Sequence, residues 1–221
     1  MSLYRTEEIE LEVENLKVKL LKVTNVDELF DLLVAKGEDH EDVKDERIPY
    51  WAELWPAALG MSRYLIQSGI VQPGLTVTEL GCGLALPGII AGLLGANVTL
   101  TDYLEEALLF ARSNWSLNLP EEQLQTALLD WREPNPALAA DLLIASDITY
   151  EKRYFEYLPN AFRTMCKPGG RIVVSDPNRH VAGAFFEDLP AKGFTVEKHR
   201  YEVPSLVTDK LHAVSVYVIW V

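Results

Sequence analysis

The sequence predicts an α/β fold: a seven-stranded, mostly parallel sheet that closes in an antiparallel C-terminal hairpin. Three observations carry this expectation. From about residue 75, short strand-like runs (TVTEL, NVTLTD, QTALLD, ADLLIASD, RIVVSD) are separated by helical runs at 87–95, 105–118 and 152–166. That alternation calls for parallel strands joined by crossover helices. The chain then ends in two long alternating runs, FTVEKHRYEV and KLHAVSVYVIWV. With no helix between them, they pair antiparallel at one sheet edge. Finally, a hydrophobic fraction of 48% supplies a core, and no run approaches the roughly 20 apolar residues needed to span a bilayer.

The elements follow in order. Residues 9–20, IELEVENLKVKL, alternate on both sides of Glu14-Asn15, a hairpin pattern with a short turn. Thr24 or Asn25 can cap a helix carrying Val26, Leu29, Phe30, Leu32 and Leu33, which ends at Lys36-Gly37. Residues 38–47, EDHEDVKDER, read as an acidic loop. A helix starts near Pro56, because proline is tolerated in a first turn, and Gly69 closes it. Gly169-Gly170 marks the last strand junction, and residues 181–193 form one more helix. The organisation expected is an N-terminal hairpin-and-helix appendage over 1–48 and one α/β domain over 49–221.

The formal charge of −13 disfavours a nucleic-acid substrate, whose affinity rests on Lys and Arg at phosphates. It suits a well-solvated surface or a basic partner. The charged amino terminus does not read as a signal peptide. Cys82 and Cys166 lie far apart, and His40, His180, His199 and His212 show no ligand spacing, so neither a disulfide framework nor a metal site is expected. The reading is a cytoplasmic protein free of the membrane.

In an open α/β sheet, ligands bind beyond the carboxyl ends of the strands. Those ends carry Glu79, Asp102, Asp130, Asp147 and Asp176, and none ends in Lys or Arg. Grouped carboxylates repel, by about 4 kcal/mol for a pair 4 Å apart at an effective dielectric of 20. Five together point to hydroxyls to bind or positive charge to meet. The loop Gly81-Cys82-Gly83-Leu84-Ala85-Leu86 lacks the third glycine of the dinucleotide fingerprint, and Glu79 beside it would oppose a pyrophosphate. A cofactor with an ammonium, a sulfonium and a ribose suits the same surface. Glu79 would face its amino-acid end, and the Gly81–Gly83 backbone would allow close approach. Asp102, 19 residues beyond Gly83, would take the ribose hydroxyls. S-adenosylmethionine fits.

These residues resemble the class I, seven-stranded Rossmann-like S-adenosylmethionine methyltransferases over about residues 50–221. Within that class the chain is similar to methyltransferase family 16, a group that includes protein-lysine methyltransferases acting on the electron-transfer flavoprotein β subunit. The likeness rests on PYWAELWPAALGMSRYL, ELGCGLALPG and SDITY at 146–150, the last matching a D-x-x-Y pattern. The resemblance implies that Glu79, Gly81 and Gly83 hold the methionine end, that Asp102 binds the ribose, and that Asp130 and Trp131 flank the adenine, with Cys82 and Tyr103 also among the cofactor-binding residues. Trp55 and Ser146 would line the cofactor pocket, while Asp147 and Tyr150 would face the acceptor nitrogen. Ala85 stands where many members of the class carry glycine. The function implied is methyl transfer to a protein lysine, with a small-molecule amine as the alternative acceptor. A catalytically idle module that docks a basic partner and a nicotinamide-dependent oxidoreductase are the other readings.

Overall fold

The computed structural model describes residues 3–45, 47–205 and 210–221. A hairpin of β1 (Thr6–Val13) and β2 (Leu16–Val23) precedes a sheet of seven strands. These are β3 (Thr76–Leu80), β4 (Asn97–Asp102), β5 (Leu124–Leu128), β6 (Ala140–Ser146), β7 (Cys166–Asp176), β8 (Thr195–Pro204) and β9 (Leu211–Trp220). The helices are α1 (Val26–Val34), α2 (Glu41–Lys44), α3 (Pro56–Ser68), α4 (Leu86–Leu93), α5 (Glu105–Ser116), α6 (Leu158–Met165) and α7 (His180–Asp188).

The strand order is β5-β4-β3-β6-β7-β9-β8. Strands β3 to β7 pair in parallel, and β9 runs antiparallel between β7 and β8. From β3 the chain builds outward through β4 and β5, then returns to place β6 on the other side of β3. Such a reversal opens a crevice between the carboxyl ends of the two central strands. The site described below lies there.

Both faces of the sheet are covered, so the central strands read as continuous apolar runs. Along β6, Leu142 and Ile144 pack on one face with Met61 of α3, Ile89 of α4 and Trp115 of α5. Leu143 and Ala145 point the other way, onto Phe162 of α6 and Phe185 and Phe186 of α7. The period of two assigns each residue to its layer. The N-terminal hairpin joins the first layer: Val18 and Leu20 are fully buried in it. Its backbone is tied to α5 and the turn after it: Asn114 Oδ1 of α5 accepts from the Leu21 N–H at 2.6 Å, and Asn118 Oδ1, two residues past the helix, from the Lys19 N–H at 2.9 Å.

Several local expectations change. The helix expected over 152–166 starts only at Leu158, with Pro159 in its first turn and a 3-10 turn at Lys152–Tyr154 before it. Proline is at ease in a first turn but breaks a helix interior, so the chain uses Pro159 as a start. The helix expected over 181–193 stops at Asp188, and Pro190 begins a separate 3-10 turn. Residues 41–44 of the acidic loop form a one-turn helix, capped by His40 Nδ1 accepting from the Asp42 N–H at 3.1 Å. Asn25 precedes α1 without capping it by its side chain, because its Oδ1 accepts from the Arg5 N–H instead. Strand β5 ends at Leu128, two residues short of Asp130. Gly169 and Gly170 lie inside β7, where the pairing with β6 shifts register.

Candidate functional site

The loop after β3 is shaped by three left-handed residues, Gly81 (φ 61°), Gly83 (φ 49°) and Ala85 (φ 64°). Glycine fills that region without steric cost. Ala85 does so with a methyl group, at the position where the class pattern has glycine, and it ends the loop as α4 begins. The loop is pinned by the Cys82 N–H on the Thr101 carbonyl at 2.9 Å and by the Gly83 N–H on Asp102 Oδ2 at 3.1 Å. A Cβ on Gly81 would lie 3.1 Å from the Trp131 ring, and one on Gly83 would lie 3.2 Å from the Trp51 carbonyl oxygen. Gly81→Ala and Gly83→Ala are each expected to lose roughly 1–2 kcal/mol from the left-handed strain alone, read as a lower urea midpoint at unchanged slope.

Most of the anticipated residues converge on one cleft over this loop. Gly81, Cys82 and Gly83 come from the end of β3, and Asp102 and Tyr103 from the end of β4. Ser146, Asp147 and Tyr150 come from the end of β6, and Trp131 lies against Gly81. Trp51 and Trp55, just before α3, also line the cleft, with the Trp51 ring packed against Tyr4 and Phe110. Asp102 is nearly buried; its second oxygen accepts from the Leu104 N–H at 3.2 Å, and burial pushes its carboxyl up to about 6. Burial also pushes the Tyr150 phenol upward, so it remains protonated at neutral pH. The Tyr150 ring meets Tyr50 and Tyr154 edge to face at 5.6 and 5.7 Å.

Other acids depart from the expected negative rim. Glu79 does not reach the cleft. It is fully buried beneath the loop, where Oε2 accepts from the Gly88 N–H of α4 at 3.0 Å and Oε1 has no partner. Burial, with a smaller contribution from Asp102, raises its carboxyl well above the usual range against the opposing Gly88 bond. Asp130 faces an adjoining recess with Asp45, Tyr103 and Tyr154, and its carboxylate is held by Arg132 Nε at 2.7 Å and the Arg132 N–H at 2.8 Å.

Asp176 is buried away from the cleft and holds two loops together, accepting from the Arg179 N–H at 2.7 Å and from Thr149 Oγ1 at 2.9 Å. Asp147, at φ 57°, has both oxygens engaged by Arg179. Mutual repulsion is thus relieved by burial in some acids and by arginine pairing in others. Arg179 was not anticipated. It stands three residues beyond a strand end, and only the turn at Asp176 brings it back over β6. Among the described residues no cluster of three or more His, Cys, Asp or Glu is arranged to hold a metal ion.

The cleft suits S-adenosylmethionine. It offers bare glycine backbone, the Asp102 carboxylate and the Trp131 ring beside Gly81. Residues 41–191 match the family model described as lysine methyltransferase. The chain is 32% identical over 157 residues to protein N-lysine methyltransferase METTL21A of Mus musculus, covering 68% of this chain and 72% of that protein. It is 25% identical over 181 residues to the electron transfer flavoprotein beta subunit lysine methyltransferase of Danio rerio, covering 78% and 65%. Among solved structures, magnesium protoporphyrin IX methyltransferase from Synechocystis PCC 6803, with bound S-adenosylhomocysteine, superposes with a TM-score of 0.57 at 16% identity, covering 86% of this chain and 93% of that one. That last likeness concerns the fold alone.

Proposed function

Because the chain belongs to the lysine methyltransferase family, we propose that its cleft binds S-adenosylmethionine against Gly81, Gly83 and Asp102 and presents the methyl group to a lysine entering beside Asp147 and Tyr150. The observation that carries this assignment is the convergence of Asp102, Trp131, Asp147 and Tyr150 on one cleft at the β3/β6 reversal.

When bound, S-adenosylmethionine supplies an electrophilic methyl group on a sulfonium. The protein's contribution is alignment and exclusion of water. Asp102 holds the ribose, and Trp131 and Tyr103 wall the adenine, with Asp130 at the rim of the adjoining recess. Trp55, fixed by its Nε1–H on the Tyr50 carbonyl at 2.8 Å, closes the cleft over the reacting centre. Lysine starts near pKa 10.4 and must lose a proton before it can attack. Asp147 keeps acceptor capacity beyond its two bonds to Arg179, since a carboxylate has about four lone-pair sites. It can therefore orient an N–H of the acceptor without acting as a free base. The Tyr150 hydroxyl, three residues further along the same loop, offers a second polar contact.

The acceptor is a protein, and the charge of −13 supports a basic surface around its lysine. Residues 1–48 act in this reading as an appendage that helps select the acceptor. The family match begins only at residue 41, and Asn114 links the Leu21 N–H of the hairpin to the Leu84 carbonyl of the cofactor loop. A cytoplasmic location belongs to the same proposal and rests on the two unpaired cysteines.

Incubation with tritiated S-adenosylmethionine and a cell lysate tests the acceptor class. Label in discrete protein bands, released as methyl-lysine on hydrolysis, is the expected result. Label confined to the small-molecule fraction would instead assign a small amine as acceptor.

A further inference from the structure

One cation of the chain itself stands in the acceptor passage. Arg179 precedes α7, and its side chain turns back over the end of β6. Its Nε and Nη2 donate to Asp147 Oδ1 and Oδ2 at 2.8 and 2.9 Å, a two-point contact. Its guanidinium carbon lies 5.6 Å from the centre of the Trp55 ring. The Asp147 side chain is only 5% exposed, against 33% for Arg179. Around the pair, Tyr50, Trp55, Tyr150 and Glu151 wall a recess that adjoins the cofactor cleft. Aromatic faces with a carboxylate are the surroundings that attract an ammonium, and here a guanidinium already occupies them.

The other ionisable groups facing this pair do not offset it in the same way. Asp176, at the end of β7, is turned to the Arg179 N–H and Thr149, and burial raises its carboxyl. Glu151 is paired with Arg153 at 2.6 Å. Tyr50 and Tyr150 contribute phenols to the same recess. Arg179 is thus the cation that faces Asp147 among the described residues. Without it, a nearly buried carboxylate would face aromatic walls and hold an incoming lysine as ammonium, its lone pair blocked by a proton. With it, a neighbouring positive charge favours the neutral amine.

Resting on the lysine methyltransferase reading, we propose that Arg179 is a positioning residue that keeps the acceptor passage close to electrical neutrality, so that lysine is received as the free amine.

The test does not require a known acceptor. Wild type, Arg179→Lys, Arg179→Gln and Arg179→Met are titrated with n-butylammonium chloride at pH 7.5 and constant ionic strength, followed by tryptophan fluorescence. The Gln and Met variants are expected to bind the cation at least about tenfold tighter than wild type, equivalent to ~1.4 kcal/mol. The Lys variant, which keeps the charge, stays near wild type. Gln retains a donor toward Asp147, so it serves if the Met variant does not melt cooperatively. No tightening in the neutral variants would overturn the proposal.

A second readout is the pH dependence of tritium transfer to lysate protein. In the neutral variants the rate should rise at a pH about one unit higher than in wild type and the Lys variant. A merely structural role would lower the rate in all three variants and leave that pH unmoved. Because the cation titration does not depend on turnover, a failure of methyl transfer and a failure of this proposal are separately visible.

Discussion

Asp102→Ala is expected to weaken S-adenosylmethionine binding by at least about 100-fold while the protein stays folded. A hydrogen bond to a charged group contributes about 1.5–3 kcal/mol, and the carboxylate offers two ribose hydroxyls a partner each. Losing both amounts to about 3 kcal/mol or more, which is the stated factor. The fold should survive because the wild-type carboxylate is itself a burden. Its pKa rises from 3.8 to about 6 on burial, so the folded state favours the protonated form.

The unfolded chain releases that proton first, and stability from this group therefore falls as pH rises from about 4 to about 6, then stays level. The ionised group costs the free fold about 3 kcal/mol at pH 7. Alanine removes this cost and forfeits the bonds to the Gly83 and Leu104 N–H groups, losses of the same order. Calorimetric titration measures the affinity, and melting temperatures between pH 4 and 8 measure the linkage. A variant that binds like wild type, or a stability difference from wild type that does not change across that pH window, would contradict the role given to Asp102.

Asp147→Ala is expected to lose at least about 100-fold in turnover, the scale of a misplaced reacting group, while S-adenosylmethionine affinity changes by less than about threefold. Asp147 sits at the junction of the cleft and the acceptor recess, tied to Arg179 and, through its N–H, to the Ser175 carbonyl at 2.8 Å. Its backbone is left-handed (φ 57°), a conformation that Asp and Asn tolerate better than Ala. Asp147→Asn therefore serves as a companion that keeps the loop. Single-turnover rates at saturating cofactor, with the lysate acceptor, read the effect. Loss of cofactor binding equal to that of Asp102→Ala would show that the two acids do not divide the work in this way.

The frame was legible in the sequence because it follows from local pattern, and so was the meeting of Gly81, Gly83 and Asp102 in one cleft. Alternation of strand and helix defined the order of elements, and the C-terminal alternating runs defined the edge hairpin. The spacing from Gly83 to Asp102 is fixed by one crossover helix, so Asp102 arrives where the pattern puts it. What was not legible depends on contacts between distant segments. Glu79 reads as a rim acid by its strand position. Its side chain nevertheless points under the loop, where α4 arrives with the Gly88 N–H. Asp147 reads as a free carboxylate until the Asp176 turn swings Arg179 over it. The late start of α6 is a local effect, visible in Pro159, and was obscured by the longer apolar spacing around it.

The direct test of the site is a crystal grown with S-adenosylhomocysteine. The expected result has the ribose hydroxyls on Asp102, the adenine beside Trp131, and the sulfur directed toward the Asp147–Tyr150 opening. Density for the ligand outside this cleft, or an anion seated against the backbone of residues 81–83 in its place, would contradict it.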